Sequence, residues 1–185
     1  MKQSVQKYSE LLAKEFAEKT MVVFLCGPSL RKVPLKPGAE LRQRLQIELE
    51  KSGFEVVLGE DDGLEELQAQ YDLYAHLNEL KFISDSAAAI VIVADSPGSF
   101  CELGLFSYVL GDDSSPRQDI TVLLDHTYKS DPSYLNRGPG LVVEERCGTV
   151  FHADFATFDV SEVVRRLARI RSVISTETRG RRRGT

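Results

Sequence analysis

The chain has no tryptophan, two methionines, three cysteines and three histidines in 185 residues, and these scarcities narrow what it can do. Cys26, Cys101 and Cys147 form no C-x-x-C spacing and are odd in number, which points to reduced thiols and disfavours a cysteine zinc site. His76, His126 and His152 lack the H-x-x-x-H spacing of a helical metal site, so no metal is expected. There is no G-x-x-x-x-G-K-[ST], hence no P-loop, and no G-x-G-x-x-G follows the first apolar run as a dinucleotide dehydrogenase requires. No apolar stretch approaches the ~18 residues of a membrane span. The start, MKQSVQKYSELLAKEF, has scattered charge and no apolar signal region, so a cytoplasmic protein is expected.

What is present is an ordinary globular composition, 42% hydrophobic and 28% charged, at a length that suits one domain. The net charge of −5 hides an asymmetry. Residues 165 to 185 hold eight arginines against one glutamate, a local +7 that leaves −12 on the remainder. An acidic body argues against a broad nucleic-acid surface, whereas the RGRRRGT end suits an anionic partner.

Helical and strand periodicities alternate along the chain. Val5, Tyr8, Leu11, Leu12 and Phe16 give an amphipathic N-terminal helix within residues 1–20. MVVFLCG (21–27) reads as a buried strand, Ala39 to Ser52 as a surface helix with Leu41, Leu45, Ile47 and Leu49, FEVVL (54–58) as a second strand, and Leu64 to Phe82 as helix. AAAIVIVA (87–94) is the most apolar run and suits a central strand covered on both faces. A helix from Phe100 to Leu110, a strand ITVLL (120–124), a long loop over 125–142, a weaker strand TVFH (149–152) and a closing helix from Val160 to Ile174 complete the reading. The expected fold is α/β: a doubly wound, flavodoxin- or Rossmann-like parallel sheet of four to five strands with helices on both faces. Residues 21–174 form the domain, and residues 175–185 form a basic flexible tail.

Ligands on such sheets sit at the carboxyl ends of the strands. Those ends are CGPS, LGED, ADSPGS and DHTY. In D-S-P-G-S-F-C-E-L-G (95–104) a Pro-Gly turn feeds a helix whose first amides, at Gly98 and Ser99, suit a sugar or phosphate. Ser99-x-x-Glu102 also has the form of a capping box, with Ser99 as N-cap and Glu102 turned back on it. The other reading sets Glu102 in the crevice, kept ionised by the helix dipole and available as a nucleophile. Cys101, expected on the inner face of that helix, reads as packing.

The run FLCGP, the helix LRQRLQIELEKSGFEVV, an acidic segment and ISDSAAAIVIVADSPGSFCELGLFS resemble the nucleoside 2-deoxyribosyltransferase-like family. With Asn78-Glu79 upstream and Tyr134-Leu-Asn-Arg-Gly-Pro139 downstream, the pattern resembles the effector proteins of bacterial retron anti-phage systems. The resemblance covers residues 21 to 139 and implies N-glycosidic bond cleavage in a nucleotide, a nucleoside or NAD, with Glu102 attacking the anomeric carbon and no cofactor. It implies a second carboxylate, for which Asp95, Asp85 and Glu79 are candidates. Cys26, Gly27, Pro28 and Ser29 correspond to the family's sugar and phosphate loop, with Arg31 or Arg42 available for a phosphate or else solvated, and Asn136 belongs to the downstream binding segment. The partners implied are a homo-oligomer and a retron reverse transcriptase with its RNA–DNA hybrid, and no membrane. The rival is a non-catalytic nucleotide sensor that signals by oligomerisation, in which Glu102 is only the cap.

Overall fold

The computed structural model describes residues 20–31, 33–60, 74–111 and 118–180. The expected N-terminal helix and the first part of the expected 64–82 helix lie outside these residues. Five parallel strands form one sheet: β1 (Met21–Cys26), β2 (Phe54–Leu58), β3 (Ala89–Ala94), β4 (Asp119–Asp125) and β5 (Gly148–Ala153), in the order β2-β1-β3-β4-β5. This is the doubly wound order in which the chain leaves β1 towards one edge and returns to build the other, so the switch point lies between β1 and β3.

Among the described residues four helices cover the sheet: α1 (Pro37–Lys51), α2 (Ala75–Asp85), α3 (Pro97–Leu110) and α4 (Ser161–Gly180). Strand alternation divides the core into two layers. Val23, Leu25, Val91, Val93 and Leu123 face α1 and α4, where they meet Leu41, Leu45, Leu49, Val163 and Leu167. Phe24, Cys26, Ile90, Ile92, Val122 and Leu124 face α2 and α3, where they meet Ile83, Leu103 and Phe106. Every residue of β3 is buried, as its unbroken apolar run requires of a strand covered on both faces.

Several boundaries differ from the sequence reading. The third helix begins at Pro97 rather than Phe100, because Pro fits the first helical turn where its missing N–H is no loss. Ile47 is exposed although the apolar count placed it with Leu45 and Leu49. The 125–142 loop is largely short helical turns, at His126–Tyr128 and Asn136–Gly140, followed by another at Val143–Cys147. The last helix continues to Gly180, so residues 175–180 are helical where a flexible tail was expected, and the arginines beyond lie outside the described residues.

Side-chain anchors hold the outer elements. Arg171 donates to the carbonyls of Ser52 and Gly53 and stands 4.3 Å over the Phe54 ring, which fastens α4 to the β2 edge. Arg44 of α1 donates to the carbonyls of Phe158 (3.1 Å) and Phe155 (2.5 Å) ahead of α4. Further along the sheet, Arg166 of α4 is ion-paired with Asp119 and bonded to Thr121, both of the inner strand β4.

Gly148 opens β5 with no room for a side chain, since a Cβ there would overlap the Ile120 carbonyl of the neighbouring strand. Gly148→Ala must therefore push β5 from β4, and a loss of about 3 kcal/mol or more is expected in urea unfolding. An unchanged midpoint would mean that the strands approach less closely than described here.

Candidate active site

The first strand ends in a turn that only glycine makes. Gly27 has φ +154°, and a Cβ on it would lie 3.0 Å from Cδ of Arg42 and 3.2 Å from Val93. The space is kept for Arg42, which is 1% exposed. Its guanidinium donates to the Leu25 carbonyl (2.8 Å), to the Pro28 carbonyl (3.1 Å) and to both carboxylate oxygens of Glu60 (2.6 and 2.7 Å). One planar fork thus fixes the end of β1 and the residue after the β2–Gly59 turn. Burial pushes the Glu60 carboxyl up, but the hydrogen bonds and charge of Arg42 outweigh it and hold Glu60 below the ordinary carboxylate range. Arg42 is therefore neither a phosphate ligand nor a solvated charge; it is a clamp. Arg31, also considered for a phosphate, is exposed and donates to the Glu60 carbonyl at 2.8 Å.

At the end of β3 the cap of α3 is Ser96, not Ser99. The Ser96 hydroxyl accepts from the Ser99 amide, and the Ser99 hydroxyl accepts from the Ser96 amide at 2.9 Å and the Asp95 amide at 3.1 Å. A serine can close the box because it reaches back as an acceptor just as the usual glutamate does. The Ser99 side chain is buried in this cap and is not presented to a ligand, whereas Gly98 is exposed on the first turn. Glu102, released from capping, lies one turn further on the face turned to Cys26 of β1.

The carboxyl of Glu102 is pushed up to about 7, first by burial and then by the charge of Glu79, with Glu60 adding to the effect. Arg42 and a hydrogen bond from the Cys26 thiol pull the other way. Its Oε2 is fully buried and has no hydrogen-bond partner. Glu79, from α2, is itself pushed up by burial and by Glu60, against the pull of Arg42. A Cβ on Gly59 would stand 2.9 Å from Glu79 Oε1, so the β2 turn leaves room for this side chain. Burial, followed by the charges of Glu102 and Glu79, keeps Cys26 a thiol. The expectation that the helix dipole holds Glu102 ionised fails, because desolvation and a neighbouring carboxylate dominate. The result is two carboxyls from two helices, both held above their ordinary range, with the charge of Glu79 acting on Glu102.

The other predicted residues are dispersed. Asp95 is exposed, accepts a hydrogen bond from the Gly38 amide at the start of α1, and is pushed up by burial and by Asp125. A Cβ on Gly38 would overlap its carboxylate, so Asp95 acts as a tie between β3 and α1. Asp85 ends α2 ahead of β3, at the opposite end of the parallel sheet, and pairs with Lys81 on the surface at 2.7 Å; it is not brought to Glu102. Pro28 gives its carbonyl to Arg42, and Ser29 is exposed, its hydroxyl accepting from the Arg31 amide at 3.2 Å. The amide of Asn136 donates to the carbonyls of Tyr128 (2.5 Å) and Asp131 (2.8 Å) and braces its own loop. Cys101, expected inward, is exposed. Sequence reasoning missed Arg42 and Glu60. The available signals were an arginine three residues before Leu45 on the buried helix face, and an acid at a strand's carboxyl end.

The sequence model of the STM3845 retron effector protein family matches residues 38–182. A curated relative, the "Retron Ec86 putative ribosyltransferase/DNA-binding protein" of Escherichia coli, is 26% identical over 119 residues. The match covers 64% of this chain and 36% of the relative, so the chain spans about a third of that protein's length. No helix among the described residues is long and apolar enough to cross a membrane.

The carboxyl of Glu102 has a pH signature. Its folded value of about 7 lies above the ordinary 4.5, so the favourable contribution is complete below about 4.5 and is lost as pH rises through 7. At ~1.4 kcal/mol per pH unit that interval is on the order of 3 kcal/mol. Glu102→Gln is expected to match wild-type stability near pH 4 and to exceed it at pH 8; equal stability at both would show the carboxyl to be well solvated. Arg42→Met leaves Glu60 and two carbonyls without their donor and is expected to cost about 3 to 5 kcal/mol in chemical unfolding.

Proposed function

From the premise that the chain belongs to the STM3845 retron effector protein family, we propose that it acts in retron anti-phage defence by cleaving the N-glycosidic bond of a nucleotide, a nucleoside or NAD. The observation that carries this reading is the buried, unpartnered carboxylate oxygen of Glu102 at the switch point of the sheet, beside a second raised carboxyl. Deoxyribosyltransferase-like chemistry needs such a pair, one group to bond the sugar and one to handle the proton of the base. The relative's printed name, with its ribosyltransferase, supports the same class of reaction.

In the proposed step an ionised Glu102 oxygen bonds to the anomeric carbon as the carbon–nitrogen bond breaks. The bonding pair leaves with the base, which takes a proton from the Glu79 carboxyl. Water then attacks the glycosyl ester and gives its proton to Glu79, and Glu102 leaves with the ester's electron pair; a second base in place of water would make the reaction a transfer. Unpaired acidic charge at this place favours the oxocarbenium character of the transition state. Glu79 replaces Asp95 and Asp85 as the second carboxyl, because it alone among the three contributes to the Glu102 environment. The capping role that the sensor reading assigned to Glu102 is filled by Ser96 and Ser99, which leaves the carboxyl free for chemistry in this reading.

Two partners extend the proposal. One is a second copy of the chain, as the apolar face of the expected N-terminal helix suggests; the other is a retron reverse transcriptase, whose RNA–DNA hybrid engages the arginines of the last residues through salt-dependent phosphate contacts, in keeping with the DNA-binding part of the relative's name.

Incubation with nucleosides, nucleotides and NAD, followed by chromatography of free base, tests the reaction. Wild-type protein is expected to release a base and folded Glu102→Gln to release none; full activity in that variant would sink the assignment. The rate should pass through a maximum in pH, because Glu102 must be ionised while Glu79 still holds its proton. In Glu79→Gln kcat should drop about 100-fold, as proton transfer to the departing base is lost.

A further inference from the structure

The two edges of the sheet are treated differently. The β2 edge is fastened to α4 by Arg171. Among the described residues the β5 edge pairs with β4 on one side only, and its six residues include no proline and are half-exposed in all but Ala153. An edge strand of this kind carries unmatched N–H and C=O groups along its outer side.

Two grooves flank that edge, one on each face. The first, of about 310 Å³, is lined by Thr149 and Phe151 of β5 with Glu162, Arg165, Arg166 and Arg169 of α4. Arg166 is already neutralised by Asp119, but Arg165 and Arg169 are exposed, one turn apart on the rim. The second, of about 270 Å³, is lined by the alternate strand residues Val150 and His152, with Lys129, Asp131, Arg137 and Glu144 around them. Its charges balance, and it holds a buried His152 Nε2 that has no hydrogen-bond partner.

We propose that β5 is a docking edge for an extended acidic segment of a partner protein, which adds a sixth strand to the sheet. Main-chain hydrogen bonds to β5 supply affinity, and alternate side chains fall into the two grooves. Those on the α4 side are acidic and meet Arg165 and Arg169; those on the other side are uncharged and polar and meet His152. A second copy of this strand is a poor occupant, because pairing β5 with β5 about a twofold axis normal to the sheet sets both arginine rows on the same face. A nucleic acid is also disfavoured, since its phosphates only accept hydrogen bonds and leave the carbonyls along the strand's outer side unmatched. The proposal is independent of the chemistry assigned to Glu102.

The test uses the full chain and two labelled eight-residue peptides, one alternating glutamate with threonine and one alternating lysine with threonine. The glutamate peptide is expected to saturate in fluorescence anisotropy and to slow hydrogen exchange of the 148–153 amides. Arg165→Glu/Arg169→Glu, with unchanged thermal unfolding, is expected to weaken it at least about tenfold. The proposal is overturned by equal binding of the lysine peptide or by no saturation with the glutamate peptide. Displacement of that peptide by oligodeoxythymidine without any exchange protection in β5 would assign the patch to nucleic acid. Amides of β5 as protected in the free protein as those of β4 would mean the edge is already occupied.

Discussion

A single buried guanidinium sets the geometry on which the crevice depends. Arg42 enters from α1, crosses beneath the Gly27 turn and distributes its donors over the end of β1, the Pro28 carbonyl and Glu60. A lysine could not do this, for it offers a point charge where a planar fork is needed. The fork makes three chain segments one rigid corner at the switch point, and the glycine at its centre exists to let the arginine pass.

The same interaction divides the acidic residues into two kinds. Glu60, bonded to Arg42 through both oxygens, is held ionised and so is spent as a local charge. That charge then acts on Glu79 and Glu102, for which Arg42's residual field and, at Glu102, the Cys26 hydrogen bond do not outweigh burial, and their protons are held more tightly. Three glutamates thus become one fixed anion and two carboxyls held above their ordinary range. Environment, rather than residue type, assigns the roles. The capping of α3 matters in the same way: with Ser96 and Ser99 serving the helix end, Glu102 has no structural duty.

The strands and their order of appearance were legible because a parallel sheet covered on both faces demands apolar runs such as AIVIVA, and the helices between them leave a 3.6-residue period. Glu102 was legible through its place one turn inside a helix that follows the central strand. The choice between Asp85, Asp95 and Glu79 was not, because linear distance from β3 says nothing about which end of the sheet a residue occupies. Asp85 lies just before β3 and therefore a full strand length from the crevice, whereas Glu79, earlier still, projects from α2 toward the carboxyl edge. Ser99 misled because the capping box has a serine form as well as a glutamate form, and the two differ by where the helix starts. Arg42 was read as surface charge by residue type, although its spacing to Leu45 and Leu49 put it on the buried face.

Such a crevice is costly, and the fold localises the cost. An ionised Glu102 works against stability by an amount on the order of 3 kcal/mol at high pH, and Nε of Arg42 is buried without an acceptor as well. One fully buried valine or isoleucine contributes roughly 1.5 to 3 kcal/mol. Two of the residues of β3 therefore offset the acidic pair, and the strand buries six. The unfavourable groups gather where the strands end, while the interior of β3 remains wholly apolar. A doubly wound sheet can hold strained chemistry at its carboxyl edge because the stability that tolerates it is generated elsewhere in the same strands.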